Sequence, residues 1–253
     1  MTQPNFRRVQ KRNPHQLVVD QHIHAAHCIK KFAGEKGLVD VFDKSISQWV
    51  QRKPDAAIFC AKRAWDQRAE KGYMHGFETD FFQVIDNINT PISDRNHAAI
   101  SRYFHLWRLR GESRDNEKKD WQLNGVSGDS LTIDEQEIIE SKHATFVLEG
   151  GSFPHHFAKG IEIQIMLDKI CHLMEPITWG LWTASRGEFL VADYYPGDSD
   201  GLVPFIPVSP RHVFFGNAPD RSLRVQEVRE LNRVSVTSSK NYYFCRSLDK
   251  CPL

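Results

Sequence analysis

The sequence predicts an α+β fold, mainly helical, with a small mixed or antiparallel sheet formed largely by the C-terminal half. Apolar residues recur at helical spacing, between capping residues, along most of the chain up to residue 173. Short β-prone runs separated by turn residues follow Pro176. Helices first and strands late are the order expected of an α+β protein. The chain has 253 residues, 40% of them apolar, so we expect a single domain over residues 1–253 with a core of its own.

The N-terminal part of the chain combines a basic arm with one helix and one strand. Residues 1–16 are polar and basic and contain no apolar signal-peptide core, so we expect an extended arm. The apolar run 17–19 leads into a histidine-rich segment, and residues 25–33 predict a short helix that ends at Gly34. Residues 37–44 alternate between apolar and polar side chains, which indicates a half-buried strand.

Longer helices are predicted where apolar spacing coincides with a start or stop signal. Asp55, directly after Pro54, is suited to cap a helix over residues 56–70 that stops before Gly72. Further helices are predicted over residues 77–88, from a Ser93 or Asp94 cap to Gly111, from the Thr132–Glu135 capping box to about Leu148, and over residues 155–173. Between them, the polar and glycine-containing segment 112–130 indicates a mobile loop or an internal boundary.

The C-terminal part of the chain supplies most of the predicted strands. Two β-prone runs, 179–185 and 189–193, are separated by an Arg-Gly pair and predict a hairpin. The remaining predicted elements are strands over residues 205–208 and 212–215, a helix over 222–236 and a last strand over 242–245.

Charge, hydropathy and cysteine content limit the class of function. Thirty-three Lys and Arg against 32 Asp and Glu give a net charge of +1, which disfavours a uniformly basic surface but leaves a local basic patch open. No run approaches the roughly 18 apolar residues of a membrane-spanning helix, so we expect a soluble, cytoplasmic protein without membrane contact. The five scattered cysteines contain no Cys-x-x-Cys pair and indicate reduced thiols. Without a Walker loop or a Gly-x-Gly-x-x-Gly motif, ATP hydrolysis and dinucleotide chemistry are disfavoured.

An aspartate and three histidines lie within eight positions, from Asp20 to His27. Which of the histidines share a side depends on whether the segment is extended or helical. In an extended segment, His22 and His24 project to the same side and suit one divalent ion, as at the start of an amidohydrolase barrel. The middle of the chain lacks the alternating strands and helices of such a barrel. In a segment that is helical from Gln21, His24 and His27 share a face. We therefore expect these two to be half-exposed bystanders, and His22 either to bond locally or to belong to a site.

Several short motifs cover most of the chain in a characteristic order. They are His22 before the helix end Lys31-Phe32-Ala33, a strand at 38–42, the segment 54–65, the pair Phe77-Glu78, the helix end 106–110, the runs 179–185 and 189–193, Pro196, the segment 204–210 and Asn232. Together they resemble a bacterial family catalogued as domain of unknown function 4238. The chain departs from that family where Ala25-Ala26 replaces a proline and where 192-ADYYP-196 replaces a Ser-Asp-Asn-Pro turn. The resemblance implies a fold but no activity, and it suggests a role in bacterial conflict or phage defence.

Four residues at points that match the family are the candidates for a catalytic site: His22, Glu78, Asp193 and Arg110. Each also has a structural explanation. Glu78 lies near a helix start, where the dipole favours a carboxylate, and Arg110 lies near a helix end, where it favours a cation. Asp193 ends a strand, where an aspartate often bonds its own turn. Arg110 is also suited to bind an anion such as phosphate.

Two functions of different classes follow from these residues. The first is a metal-assisted hydrolase or nuclease, in which His22, Glu78 and Asp193 bind Mg²⁺ or Mn²⁺ and Arg110 assists at the phosphate of a nucleic acid substrate. The second is a non-catalytic protein that binds a partner or ligand through the basic arm and the charged segment 112–130. In that case the histidine and acidic residues stabilise the core.

Overall fold

The structure, a computed structural model, describes residues 7–114, 119–173, 176–195 and 203–253, and it confirms the α+β class. The helices are α1 (Ala26–Lys30), α2 (Gln67–Ala69), α3 (His75–Asp86), α4 (His97–Arg114), α5 (Ile133–Ser141), α6 (His155–Leu173) and α7 (Val225–Ser238). The strands are β1 (Asp20–His22), β2 (Val39–Asp43), β3 (Gln48–Arg52), β4 (Cys60–Lys62), β5 (Trp121–Gln122), β6 (Ser152–Phe153), β7 (Trp179–Ala184), β8 (Val191–Ala192), β9 (Phe205–Ser209), β10 (His212–Gly216), β11 (Arg221–Leu223) and β12 (Tyr242–Cys245). No helix within these ranges combines the length and apolar character needed to cross a membrane.

The strands form two four-stranded sheets and two short ribbons. One sheet has the order β3-β2-β12-β8 and is antiparallel throughout. The other has the order β11-β7-β10-β9, and its β11 runs parallel to β7. The ribbons pair β1 with β4 and β5 with β6. Because β2 and β3 supply half of the first sheet, the N-terminal half contributes more strand than the sequence predicted.

The predicted hairpin over residues 179–193 is wrong, because β7 and β8 belong to different sheets. Gly187 has a φ of 85°, and after it the chain takes other partners. The N–H of Phe189 donates to the carbonyl of Pro210 at 2.9 Å. The side chain of Asn232 accepts the N–H of Leu190 at 2.8 Å. These bonds direct β8 away from β7 and towards β12.

The predicted helix over residues 56–70 is also wrong. The segment begins with a short 3₁₀ helix, Ala57–Phe59, its centre forms β4, and α-helix begins only at Gln67. The side chain of Gln21 explains this difference. Its Oε1 accepts the N–H groups of Ala64 and Trp65 at 2.7 and 3.1 Å, and its Nε2 donates to the carbonyl of Trp65 at 2.7 Å. These are backbone groups that a continuous helix would pair internally, so the tertiary contact replaces the helical bonds.

Helix α4 contributes Ile100, Tyr103, Phe104 and Trp107 to the largest buried cluster. Its N-cap is Asn96, whose Oδ1 accepts the N–H of Ala99 at 3.0 Å. The helix continues past Gly111 to Arg114. Gly111 does not stop the helix. It allows close packing, since a Cβ there would lie 3.2 Å from the carbonyl oxygen of Asp193.

The basic arm and the polar segment are both tied to the rest of the chain where the structure describes them. The N–H of Gln10 donates to Glu137 of α5 at 2.6 Å, and Nε2 of His15 lies 2.7 Å from Oδ1 of Asp134. Within the segment 112–130, residues 112–114 extend α4, and β5 pairs with β6. Residues 1–6 and 115–118 lie outside the described residues. The capping box of Thr132 and Glu135 is confirmed, although its helix ends at Ser141.

Candidate active site

His22 is the last residue of β1 and is paired with Cys60 across the ribbon, which holds its backbone in place. The side chain is half-buried, and its Nε2 lies 3.3 Å from the carbonyl oxygen of Pro54. Because a carbonyl only accepts, Nε2 carries the hydrogen and Nδ1 keeps a free lone pair. Burial, helped by the positive charge of Arg110, lowers the pKa of His22 below its ordinary value. The imidazole is therefore neutral at pH 7.

Arg110 belongs to α4 and has 1% of its side chain exposed. Its Nη1 lies 2.5 Å from Oε1 of Glu78 in α3. Its Nη2 lies 3.4 Å from Oε2 of Glu70. Burial alone would lower the pKa of Arg110, but the two carboxylates outweigh it and raise the pKa above its ordinary value. The guanidinium is thus permanently charged and held between two glutamates.

Glu70 was not among the residues predicted from the sequence. It begins a π-helical turn, Glu70–Met74, between α2 and α3, in which Gly72 has the non-helical angles φ −91° and ψ −113°. Such turns are common at functional sites. The Oε2 atom of Glu70 also accepts the indole N–H of Trp65 at 2.5 Å. The sequence signal for this turn was an isolated glycine between two helical patterns, which by itself does not identify a site residue.

His22, Glu70, Glu78 and Arg110, here called the Arg110 cluster, come from four separate elements. The charges of Arg110, Glu70 and Glu78 all act on the pKa of His22, so the four side chains share one electrostatic environment. Glu70 and Glu78 keep 18% and 16% of their side chains exposed, whereas Arg110 is almost fully covered. The imidazole and both carboxylates are therefore accessible to a ligand, whereas the guanidinium is not.

The other histidines of the segment have structural surroundings. His24 is fully buried, contrary to the prediction that it is half-exposed. Its Nδ1 lies 3.0 Å from the hydroxyl of Tyr103, which also accepts the N–H of Ala25. Burial lowers the pKa of His24 to about 3, so its ring is neutral. His27 is half-buried and lies 3.2 Å from Asp86. Asp20 pairs with Lys62 on the ribbon.

The Asp193 carboxylate bonds to backbone amides and not to residues of the Arg110 cluster. Its two carboxylate oxygens accept the N–H groups of Lys240 and Asn241, each at 2.8 Å, just before β12. Burial raises the pKa of Asp193 although these amides and Arg114 act in the opposite direction. Both oxygens hold the turn before β12, and this bonding matches the structural explanation of an aspartate at a strand end.

The donors for the predicted divalent ion are only partly assembled. No group of three or more His, Cys, Asp or Glu side chains within the described ranges is arranged to hold a metal ion. The oxygen of Glu78 nearest to Arg110 is engaged by the guanidinium at 2.5 Å, and Asp193 bonds backbone amides. The divalent ion therefore stays a prediction.

Comparison with known proteins adds no assignment. No protein-family model, no curated protein and no solved structure matches the chain. The resemblance to the domain of unknown function 4238 family therefore stays a prediction from the sequence.

Proposed function

We propose that the protein is a hydrolase whose reaction takes place at the Arg110 cluster, with phosphodiesters of nucleic acid as the substrate class. The observation that supports this proposal is that Arg110 pairs with Glu70 and Glu78, residues distant from it in sequence, and that all three charges act on the pKa of the half-buried His22. A neutral imidazole beside two carboxylates is a set suited to general acid–base catalysis.

His22 is the general base. With its Nε2 hydrogen directed at the carbonyl of Pro54, Nδ1 is available to take a proton from the attacking water. Proton transfer converts the imidazole to a cation. The carboxylates of Glu70 and Glu78 favour that cation, since their charges raise the pKa of His22. The pair thus stabilises the charge that appears on His22 as the water attacks, as a carboxylate does beside the histidine of a catalytic triad.

Arg110 is a positioning residue and not a catalytic one, because it is too deeply buried to touch substrate. Its fork fixes both glutamates, with contacts of 2.5 and 3.4 Å. Two carboxylates and one guanidinium leave the cluster with one net negative charge when His22 is neutral. A phosphodiester would therefore approach more readily with an added cation. Bound Mg²⁺ or Mn²⁺ would supply that charge and acidify water, so the divalent ion is part of the test.

The test is cleavage of DNA and RNA by the wild-type protein, with Mg²⁺, with Mn²⁺ and with a chelator. We expect His22→Ala to reduce the rate by about 100-fold or more, the usual contribution of a general base. Glu78→Gln should also reduce the rate. His172→Ala is the control, since His172 is exposed at the end of α6. Equal activity of wild type and His22→Ala, or no cleavage by either folded protein, would refute the proposal.

The second candidate function is non-catalytic binding, with the cluster serving only stability. The observation that favours it is that both terminal nitrogens of Arg110 pair with carboxylates, which resembles a structural ion pair. In that case His22→Ala lowers the free energy of unfolding and no cleavage occurs. The arm contacts α5 through Gln10 and His15, so deletion of residues 1–16 should both destabilise the protein and abolish partner binding. Unchanged binding after this deletion would remove the arm from that function.

A further inference from the structure

A cavity lies between α4, the end of α6 and the chain that leads into β7. Its volume is about 190 Å³. Ser101 and His105 line it from α4, Ile170 and Cys171 from α6, and Ile177 from the segment before β7. None of these residues belongs to the Arg110 cluster. A ligand here would be separate from the proposed hydrolytic reaction.

His105 is the polar group that points to a ligand in this cavity. Only 2% of the residue is exposed, and its Nδ1 has no hydrogen-bond partner in the part of the chain that the structure describes. Buried polar groups are nearly always bonded, so an imidazole with an unpaired nitrogen in the wall of a cavity indicates a missing partner. Burial, with a smaller effect of Arg108, lowers the pKa of His105 to about 4. A neutral imidazole suits an uncharged hydroxyl better than an anion.

The remaining walls define the rest of the ligand. Ile170, Pro176 and Ile177 give the cavity an apolar side. An apolar cavity of about 150 Å³ accepts benzene, so this volume fits one ring with a small substituent. Arg102 also lines the cavity, but its guanidinium lies over the ring of Phe77 and 3.9 Å from Asp80. It is therefore directed towards α3, which disfavours a carboxylate on the ligand.

We propose that this cavity binds a small monocyclic phenol, with the ring against the isoleucines and the hydroxyl bonded to His105. The hydroxyl both donates and accepts, so it satisfies either ring nitrogen of the imidazole. Cys171 gives an independent measurement at the same place. It is the exposed cysteine, while the other four are buried. A ligand in the cavity should shield its thiol.

The probe is 4-fluorophenol, followed by fluorine NMR with the full-length protein. We expect saturable binding with a Kd of about 1 mM or tighter. Fluorobenzene, which lacks the hydroxyl, should bind about 5-fold more weakly, the value of one hydrogen bond. Bound 4-fluorophenol should also slow alkylation of Cys171 by iodoacetamide.

Two variants locate the binding. Ala98→Phe adds bulk to an exposed helical position that lines the cavity and should abolish binding. Ala144→Phe adds the same bulk at an exposed position outside that lining and should leave it unchanged. His105→Phe should bring 4-fluorophenol down to the affinity of fluorobenzene. No binding to the wild type, equal binding to Ala98→Phe, or unaltered preference for the phenol in His105→Phe would overturn the proposal.

Discussion

The Nη1 atom of Arg110 lies 2.5 Å from Oε1 of Glu78, and this pair joins α4 to α3 below the protein surface. Glu70 completes the arrangement at 3.4 Å from Nη2. A buried guanidinium is tolerated only when its charge is balanced, so the two carboxylates and the arginine depend on one another. The same pairing that stabilises the fold also orients the two glutamates whose charges raise the pKa of His22.

Replacing Arg110 should therefore be among the more destabilising changes in the protein. Arg110→Met leaves two partly buried carboxylates without their cation, and we expect the free energy of unfolding to fall by about 3–5 kcal/mol. Arg110→Lys should recover only part of this, because an ammonium lacks the planar fork. Urea unfolding measures both. Arg102→Met, at a partly exposed position of the same helix, is the control and should change stability by about 0.5 kcal/mol or less.

If Arg110→Met were as stable as Arg102→Met, the cluster would not be an interdependent ion-pair network. The double variant Arg110→Met with Glu78→Gln gives a second measure of the same point. It should be more stable than Arg110→Met alone, because one of the uncompensated charges is removed as well.

Asp193 should affect stability and not the rate of a folded enzyme. Asp193→Ala leaves the N–H groups of Lys240 and Asn241 without acceptors, which should cost about 2–3 kcal/mol. Asp193→Asn keeps one carbonyl acceptor and should cost less. Urea unfolding combined with cleavage per folded molecule separates the two roles. A large loss of rate in Asp193→Asn at unchanged stability would restore this residue to the catalytic set.

The helices were predicted well where their pattern is long and they pack through one face. Helices α3, α4, α6 and α7 follow their predicted spans closely, because apolar spacing alone fixes the buried side. The segment 56–70 has the same helical periodicity but forms β4 and only a short α-helix. There, Gln21 and the pairing of β1 with β4 decide the structure, and both are contacts with residues remote in sequence. Strand β3 was missed because its mostly exposed, polar residues carry little apolar alternation.

The candidate site, like the fold, could be predicted only in part from the sequence. Chemical type and the family resemblance singled out His22, Glu78 and Arg110. In the structure Arg110 pairs with Glu78, and the charges of both act on the pKa of His22. Glu70 was missed because its direction depends on the π-helical turn at Gly72, which local sequence does not specify. Asp193 looked equivalent to Glu78 in the sequence. Only the fold shows that its oxygens face the backbone before β12.

Asn232 should contribute strongly to the stability of the C-terminal half through its side-chain hydrogen bonds. It is fully buried in α7, its Oδ1 accepts the N–H of Leu190, and its Nδ2 donates to the carbonyls of Glu188 and Pro252. Asn232→Ala leaves three backbone groups without this partner, and we expect a loss of about 3 kcal/mol in unfolding free energy. Asn232→Asp should be similarly costly, since a carboxylate cannot donate to the two carbonyls. A loss under about 1 kcal/mol in Asn232→Ala would show that water replaces the amide.

Stability should fall in mild acid because two buried histidines stay neutral in the folded protein. Burial lowers the pKa of His24 to about 3 and that of His105 to about 4, from an ordinary value of 6.5. Between those values and 6.5 the unfolded chain binds protons that the folded protein does not, so stability decreases as pH falls. Asp66 acts oppositely, because burial raises its pKa to about 6 from 3.8 and the folded protein takes up that proton first.

The variant His24→Phe isolates one of these protons. Phenylalanine keeps an aromatic ring beside Trp107, while the loss of the bond to Tyr103 lowers stability equally at every pH. The slope of unfolding free energy against pH, measured by urea unfolding between pH 5.5 and 4.5, should therefore decrease by about 1.4 kcal/mol per pH unit. His172→Ala, at an exposed histidine, should leave the slope unchanged. If His24→Phe also left the slope unchanged, His24 would be protonated in the folded protein, and its burial would not be the source of acid sensitivity.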